Sequence, residues 1–288
     1  MVCVFPKVVD HHKKNRPLVP NGLGIVYVFA SVLYLSFLYL LSSFGVFGFG
    51  YHALVLMFCV LFGGFIGVCD DWLDLRWRYK ALLPLVIALP LNAFLIQFVK
   101  STFVDTLFFG ACEFGVMYYL LFVPSFITIA TNTINQLGGL NGLETIPPLV
   151  IMVGLMVASK NLAVLIVGPL LVLFVFATFN FRGKLFVGNV GSFSLGATLA
   201  VFALIANLKT FLLIALTPYI FNSALILFSY FANGKKASVK LAERGLTADS
   251  RKSLATTILY HRQLSERMVV IIISLFTVVS TLIALLLS

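Results

Sequence analysis

The chain has 288 residues, of which 61% are hydrophobic and only 10% charged, with a mean hydropathy of +1.07. Soluble domains carry about 25% charged residues, so this balance excludes a soluble protein and points to an integral membrane one. A net charge of +10 would suggest nucleic acid in a soluble chain, but here the cations line one membrane face and read as topology plus anionic substrates, with no nucleic-acid partner.

Charge-free stretches mark the expected spans, since about 20 apolar residues rising about 1.5 Å each cross about 30 Å of hydrocarbon. The first such stretch, residues 17–69, is too long for one crossing and is split by Gly45, Gly48 and Gly50 into helices at 24–43 and 52–69. Further helices are expected at 82–99, 114–131, 146–159, 161–179, 192–208, 210–231 and 268–287, giving an all-α bundle of about nine spans. The segment at 146–159 is the shortest, and Pro147 and Pro148 suit its start rather than its middle. With the N-terminus in the cytoplasm, seventeen lysines and arginines fall inside against three outside, Lys100, Lys160 and Lys209. That asymmetry selects the orientation. The chain then reads as one integral membrane domain, 1–288, with a cytoplasmic N-terminal segment, 1–20, and a basic cytoplasmic loop, 232–267.

The N-terminal segment lacks the apolar core and small-residue cleavage site of a secretory signal. Its cations suit either anionic headgroups or a substrate. Cys3, Cys59, Cys69 and Cys112 show neither metal-ligand spacing nor a paired framework. His52 and Glu113 fall on the outer side and are expected to be solvated, and the 29 phenylalanines to be lipid-facing and packing mass.

The concentrated polar motifs all fall on the cytoplasmic side. They are "GVCDDWLDLRWRYK" at 67–80, "TNTINQLGGLNGLE" at 131–144, "NFRGKLFVGNVGSFSLG" at 180–196 and "HRQLSER" at 261–267. Carboxylates and amides at a membrane edge are costly unless they meet water, a metal or one another, which makes one shared aqueous site the economical reading. Carboxylate and amide oxygens are hard ligands suited to magnesium together with substrate phosphates. Neighbouring cations would screen a diphosphate, and glycines let backbone approach it.

Alone, Asp70-Asp71-x-x-Asp74 resembles the DDxxD motif of membrane prenyltransferases, but that family needs a second aspartate-rich motif, and the corresponding loops carry Asn132, Asn135, Asn141 and Asn189. The longer string "DDWLDLRWRYKALLP", then "TNTINQLGGLNGLE", then "FNFRGKLFVGNVGSFSLGA", resembles the polyprenyl-phosphate N-acetylhexosamine-1-phosphate transferase superfamily (glycosyltransferase family 4). The first part is most similar to the branch that makes GlcNAc-diphosphodolichol, and "VGNVGSFSLG" to the bacterial branch. The resemblance implies transfer of GlcNAc-1-phosphate from UDP-GlcNAc to a membrane polyprenyl (dolichyl-type) phosphate with release of UMP, the first step of lipid-linked oligosaccharide assembly. It further implies magnesium, or manganese in its place, an archaeal cell membrane or endoplasmic reticulum, and leaves a homodimer open.

Residue by residue, the resemblance implies that Asp70 and Asp71 are the essential aspartate pair, Asp70 taking the lipid phosphate's proton. Lys80 matches a phosphate-contacting lysine, with Trp77 near the sugar pocket. Asn135 matches a magnesium ligand, Asn141 a nucleotide-contacting asparagine, and Phe186 the aromatic that stacks on uracil. The chain departs from the family at three sites. Asn189 stands where relatives have a magnesium-ligating aspartate, with Asp74 as a candidate to supply the missing charge. Asn21 stands where relatives use a sugar-pocket glutamate. His261 and Arg262 are the nearest equivalent of the histidine/arginine motif that grips the sugar phosphate. Relatives also have ten spans. The alternatives are a DDxxD-type prenyltransferase and a non-catalytic lipid-binding paralogue that has lost its metal at Asn189.

Overall fold

The computed structural model describes residues 5–46, 48–106, 110–233 and 238–288; Cys3 and the loop residues Lys235 and Lys236 lie outside them. Among the described residues the long apolar stretches are helical, with three two-stranded hairpins between them. In order they are β1 (Lys7–Val9), β2 (Leu18–Pro20), α1 (Gly24–Ser43), α2 (Gly50–Leu73), α3 (Trp77–Leu82), α4 (Ala88–Phe94), β3 (Phe103–Thr106), β4 (Gly110–Glu113), α5 (Val123–Leu137), α6 (Ile146–Ala158), α7 (Val164–Phe181), α8 (Gly188–Ile205), α9 (Lys209–Ala215), α10 (Thr217–Asn233), β5 (Lys240–Ala242), β6 (Gly245–Thr247), α11 (Leu254–Ile258) and α12 (Glu266–Leu286).

Every expected span is helical. Six stretches are long and apolar enough to cross a membrane by themselves: α1, α2, Trp77–Val99, α7, α8 and α12. Trp77–Val99 joins α3 and α4 through 3-10 and π turns. α9 and α10 make a seventh if the bent pair, which turns by 59°, is one span. The bend has a local cause. Pro218 has no N–H to continue the ladder, and the Thr217 hydroxyl donates to the Ile214 carbonyl at 2.6 Å. α6, with 13 residues, falls short of the hydrocarbon thickness at about 1.5 Å per residue. α5 is lengthened at its start by a π turn over Tyr118–Phe122. Among the described residues helix is found at each expected place, and six stretches, or seven with the bent pair, are long enough to cross.

α8 is the axis of the bundle and is buried over nearly its whole length. Lipid tails are as apolar as leucine, so helices in a bilayer associate through close packing rather than through the hydrophobic effect, and small residues permit that. Here a Cβ on Gly67 of α2 would stand 2.3 Å from the Val190 Cα, one on Gly24 of α1 2.2 Å from the Gly191 nitrogen, and one on Gly196 2.5 Å from the Thr131 Cα of α5. Backbone therefore meets backbone at three crossings of one helix, two of them at the end carrying the acidic motif. The buried Tyr27 hydroxyl of α1 adds a bond to Thr198 Oγ1 at 3.0 Å.

At the opposite end, β3 and β4 form a hairpin beside the start of α9. Lys209 is buried there, its Nζ donating to the Phe103 carbonyl (2.7 Å) and Asn207 Oδ1 (2.6 Å) and lying 5.2 Å from the Tyr118 ring centre. Glu113 is exposed as expected. His52 is not: its ring packs edge-on against Phe94 (5.0 Å) and Phe49 (6.1 Å), because the start of α2 faces α4 rather than solvent. Cys59, Cys69 and Cys112 are free thiols.

Candidate active site

α2 stops at its acidic motif because Asp74 adopts a left-handed backbone (φ 42) and its N–H bonds back to the Asp70 carbonyl at 3.1 Å. Aspartate is among the residues that tolerate that conformation. The stop separates the three carboxylates. Asp70 points inward and is 2% exposed, paired with Lys80 Nζ at 2.8 Å; its Oδ2 has no hydrogen-bond partner among the described residues. Asp71 turns to the start of α8, where its oxygens accept from the backbone N–H groups of Asn189 and Val190, each at 3.4 Å. A carboxylate there faces the positive end of the helix dipole and its unpaired N–H groups. Asp74 is exposed and its carboxylate makes no ion pair or hydrogen bond among the described residues, so the expectation that it replaces the charge missing at Asn189 finds no support in its placement.

Asn135 and Asn189 meet. Asn135 Nδ2 donates to Asn189 Oδ1 and to Ser192 Oγ, both at 2.8 Å. The Asp71 carboxylate and two amides thus gather at the α2–α8–α5 junction as a set of hard oxygen donors. Among the described residues, no group of three His, Cys, Asp or Glu side chains is placed to hold a metal alone, but magnesium usually takes one or two protein groups and completes its shell with water and phosphate. The donor set fits that ion. Amide O and N are assigned from the bonding pattern; reversing Asn135 to present its oxygen would keep its Ser192 bond, since a hydroxyl both donates and accepts.

The 138–145 loop closes the site from another side. Asn180, at the end of α7 and 1% exposed, accepts from the Gly142 N–H (2.8 Å) and the Thr145 hydroxyl (3.1 Å) and donates to the Leu185 carbonyl (2.9 Å). It ties that loop to the segment carrying Phe186, whose own backbone bonds to Pro20 and Leu23 hold the N-terminal hairpin in place. Glu144 lies between the two loops. Burial pushes its carboxyl up to about 7, with the nearby Asp71 charge adding to the rise and backbone N–H groups of Val187 and Gly139 opposing it.

Asn141 has the densest set of partners. Its Nδ2 donates to Asp10 Oδ2 and to Glu266 Oε1, both at 2.9 Å, and its backbone N–H donates to the same Glu266 oxygen at 2.7 Å. Asp10 is 1% exposed and pairs with Lys13 at 3.0 Å. Burial raises its carboxyl, but bonds from Lys13, Asn141 and the His12 N–H outweigh that and hold it below the ordinary value. The N-terminal segment is therefore no loose headgroup anchor; it is a hairpin that places a carboxylate in the site. Asp10, Glu144, Asn180 and Glu266 escaped the reading of the sequence. A lone charge in so apolar a chain was the available signal for Asp10 and Glu266.

Other expected residues lie farther out. Trp77 is half exposed, with its ring centre 6.4 Å from that of Tyr230 and the Arg78 guanidinium 5.8 Å from its centre. Asn21 lies beside Gly188 at the start of α8. His261 and Arg262 are exposed; the His261 ring packs tilted against Tyr260, ring centres 4.0 Å apart, and neither is bonded to the residues above. The reason is that the described part of the loop, 238–267, is folded: β5 and β6 pair, α11 carries a Ser253/Thr256 capping box, and the Leu254 N–H is held by Asn222 Oδ1 of α10 at 2.8 Å. From this loop's end the residue that enters the cluster is Glu266, not His261 or Arg262.

Fold and site together define a polytopic α-helical membrane protein with a carboxylate and amide centre at one end of its bundle. The family model for glycosyl transferase family 4 matches residues 53–207, so the chain belongs to that family. Among its relatives, a Sulfolobus acidocaldarius protein provisionally named as a UDP-N-acetylglucosamine–dolichyl-phosphate N-acetylglucosaminephosphotransferase is 30% identical over 75% of this chain and 67% of its own. A Dictyostelium discoideum protein with that name is 30% identical over 74% and 63% respectively. The phospho-N-acetylmuramoyl-pentapeptide-transferase of Streptococcus thermophilus is 30% identical over 75% and 68%.

Proposed function

We propose that this protein transfers a sugar-1-phosphate, GlcNAc-1-phosphate in the first instance, from a UDP-sugar to a membrane polyprenyl phosphate of the dolichyl type, releasing UMP. The observation that carries the reading is the pairing of buried Asp70 with Lys80 beside the Asp71–Asn189–Asn135 cluster. The names of the relatives point to the same chemistry. In the transfer, an oxygen of the lipid phosphate attacks the β-phosphorus of the UDP-sugar. A new P–O bond forms, the bond from the β-phosphorus to the bridging oxygen breaks, and UMP leaves with the bond's electrons. Asp70 takes the proton of the attacking phosphate, and Lys80 faces the charge that develops on the phosphoryl oxygens. Asp71, Asn189 and Asn135 would hold a magnesium ion, which when bound neutralises diphosphate charge. The site lies on the cytoplasmic side by the distribution of lysine and arginine.

An apolar groove of about 390 Å³ between the bent α9–α10 pair and α12, lined by Pro218, Phe221, Phe276 and Val279 among others, is suited to a polyprenyl chain. Purified protein supplied with radiolabelled UDP-GlcNAc, polyprenyl phosphate and magnesium should form lipid-linked sugar and UMP in equal amounts. A prenyltransferase would be indifferent to uridine nucleotides, and absence of both products under conditions where a relative turns over refutes the reading.

A further inference from the structure

Between the N-terminal hairpin and the neighbouring ends of α1 and α7 lies a crevice of about 190 Å³, lined only by apolar side chains, among them Phe5, Leu23, Val26, Phe176, Phe179 and Leu185. None of them lines the groove between α9, α10 and α12. Val26 is in the first turn of α1, and Phe176 and Phe179 are in the last two turns of α7. At about 1.5 Å per residue the crevice lies within about 10 Å of those helix ends, where acyl chains meet headgroups. Its rim is cationic. The Phe186 N–H donates to the Pro20 carbonyl (2.9 Å) and the Asn21 N–H to the Pro6 carbonyl (2.8 Å), which brings Lys7, paired with Pro20 across the hairpin, to the segment that carries Lys184. At the hairpin turn Lys13 Nζ donates to the Gly183 carbonyl at 3.5 Å, which sets Lys14 and Arg16 near Arg182. Lys7, Lys14, Arg16, Arg182 and Lys184 are all exposed. The one acid within residues 5–26 and 174–196 is Asp10, and it is buried and turned inward onto Lys13 and Asn141, so these segments offer no carboxylate to offset the outer cations.

We propose that this corner binds an anionic phospholipid of the surrounding leaflet, with one chain in the Phe5–Leu23–Phe179 crevice and the phosphate between Lys7 and Lys184, and that the bound lipid clamps the hairpin against the bundle. The hairpin's outer face fits that setting. Val9 and Leu18 are cross-strand partners, 36% and 63% exposed, and apolar residues flanked by cations favour the boundary of an anionic leaflet. A two-stranded hairpin is marginal in water by itself, so a ligand bridging it to the α7–α8 segment adds to the two backbone bonds that hold its base. The clamp reaches the site because the same hairpin carries Asp10 to Asn141. Outer face and inner face thus divide the work: cations toward the membrane, the carboxylate toward the cluster.

The test titrates phosphatidylglycerol into phosphatidylcholine nanodiscs holding the full-length protein, counts bound lipid by native mass spectrometry, and follows hydrogen exchange over residues 7–20. K7Q and K184Q should each weaken phosphatidylglycerol binding about fivefold, the equivalent of about 1 kcal/mol per cation near an anionic surface. V26W fills the crevice with every charge in place and should weaken binding by a similar factor. K100Q/K160Q removes two exposed cations from the other end of the bundle and should leave it unchanged. Bound phosphatidylglycerol should slow exchange in the wild-type hairpin about threefold and have no such effect in K7Q/K184Q. Wild-type affinity in K7Q/K184Q or in V26W overturns the site, and an equal loss in K100Q/K160Q reduces it to general attraction. Displacement of phosphatidylglycerol by equimolar polyprenyl phosphate assigns the corner to the acceptor lipid and overturns the proposal as well. Binding lost with hairpin exchange unchanged overturns the clamp. Neither readout depends on the transfer reaction, so the site stands or falls apart from the proposed function.

Discussion

The contact of α2 with α8 and the wall formed by α9, α10 and α12 lie in the same apolar surroundings and are built on opposite plans. In the first, glycines bring backbone onto backbone, and Gly67 leaves no room for even a methyl group beside Val190. In the second, Pro218 and Thr217 bend the chain, and large side chains such as Phe221 and Phe276 stand apart around a groove. On the proposed function, the difference matches what each region would have to hold. Phosphoryl chemistry needs Asp70 and Asp71 fixed against the start of α8, within the few tenths of an ångström that positioning demands. A polyprenyl chain has no fixed shape, and an open apolar wall accommodates it.

The sharpest way to break this comparison is at the rigid end. Asp70→Asn should lower transfer about a thousandfold while leaving helicity and UMP binding intact; residual activity within tenfold of wild type would remove Asp70 from the chemistry. Gly67→Val should push α2 from α8, cost about 1–3 kcal/mol in thermal unfolding and abolish transfer by displacing Asp71 from Asn189 and Val190.

Glu144 gives a pH signature of the same end. Its carboxyl is held at about 7 against an ordinary 4.5, so the folded protein binds the extra proton between those values. Stability is then fully present below about 4.5 and declines as pH rises through about 7, by an amount on the order of 3 kcal/mol. Glu144→Gln should flatten that decline in melting curves taken from pH 4 to 8. A smaller effect is expected at Asn189, where restoring aspartate should reduce the half-saturating magnesium concentration about fivefold, because a full negative charge replaces an amide dipole. At the open wall, Val279→Trp should change stability by under about 0.5 kcal/mol. It should slow transfer to long polyprenyl phosphates and leave short acceptors unaffected.

Much of this protein was legible before folding was considered. Charge-free length marked the helices at 24–43, 52–69 and 268–287 to within a few residues, because in lipid every backbone polar group must be satisfied inside its own helix. The ordered motifs assigned Asp70, Lys80, Asn135 and Asn189 to one site by resemblance, and the structure adds that Lys80 pairs with Asp70 and Asn135 bonds to Asn189. The roles assigned to Asp74, His261 and Arg262 rested on the family resemblance, and the structure does not bring them to the cluster. Asp74 is spent on ending α2, and the folded segment 238–267 holds His261 against Tyr260.

The sequence by itself therefore determined that the chain crosses membranes, where its helices lie and which motifs carry charge, since hydropathy and spacing are local properties. Only the tertiary structure decided which charges meet. Asp10 and Glu266 are separated by more than 250 residues, and no local pattern relates them. They come together because a hairpin docks on Phe186 and α12 begins beside the 138–145 loop, where a buried amide with two hydrogens requires two acceptors.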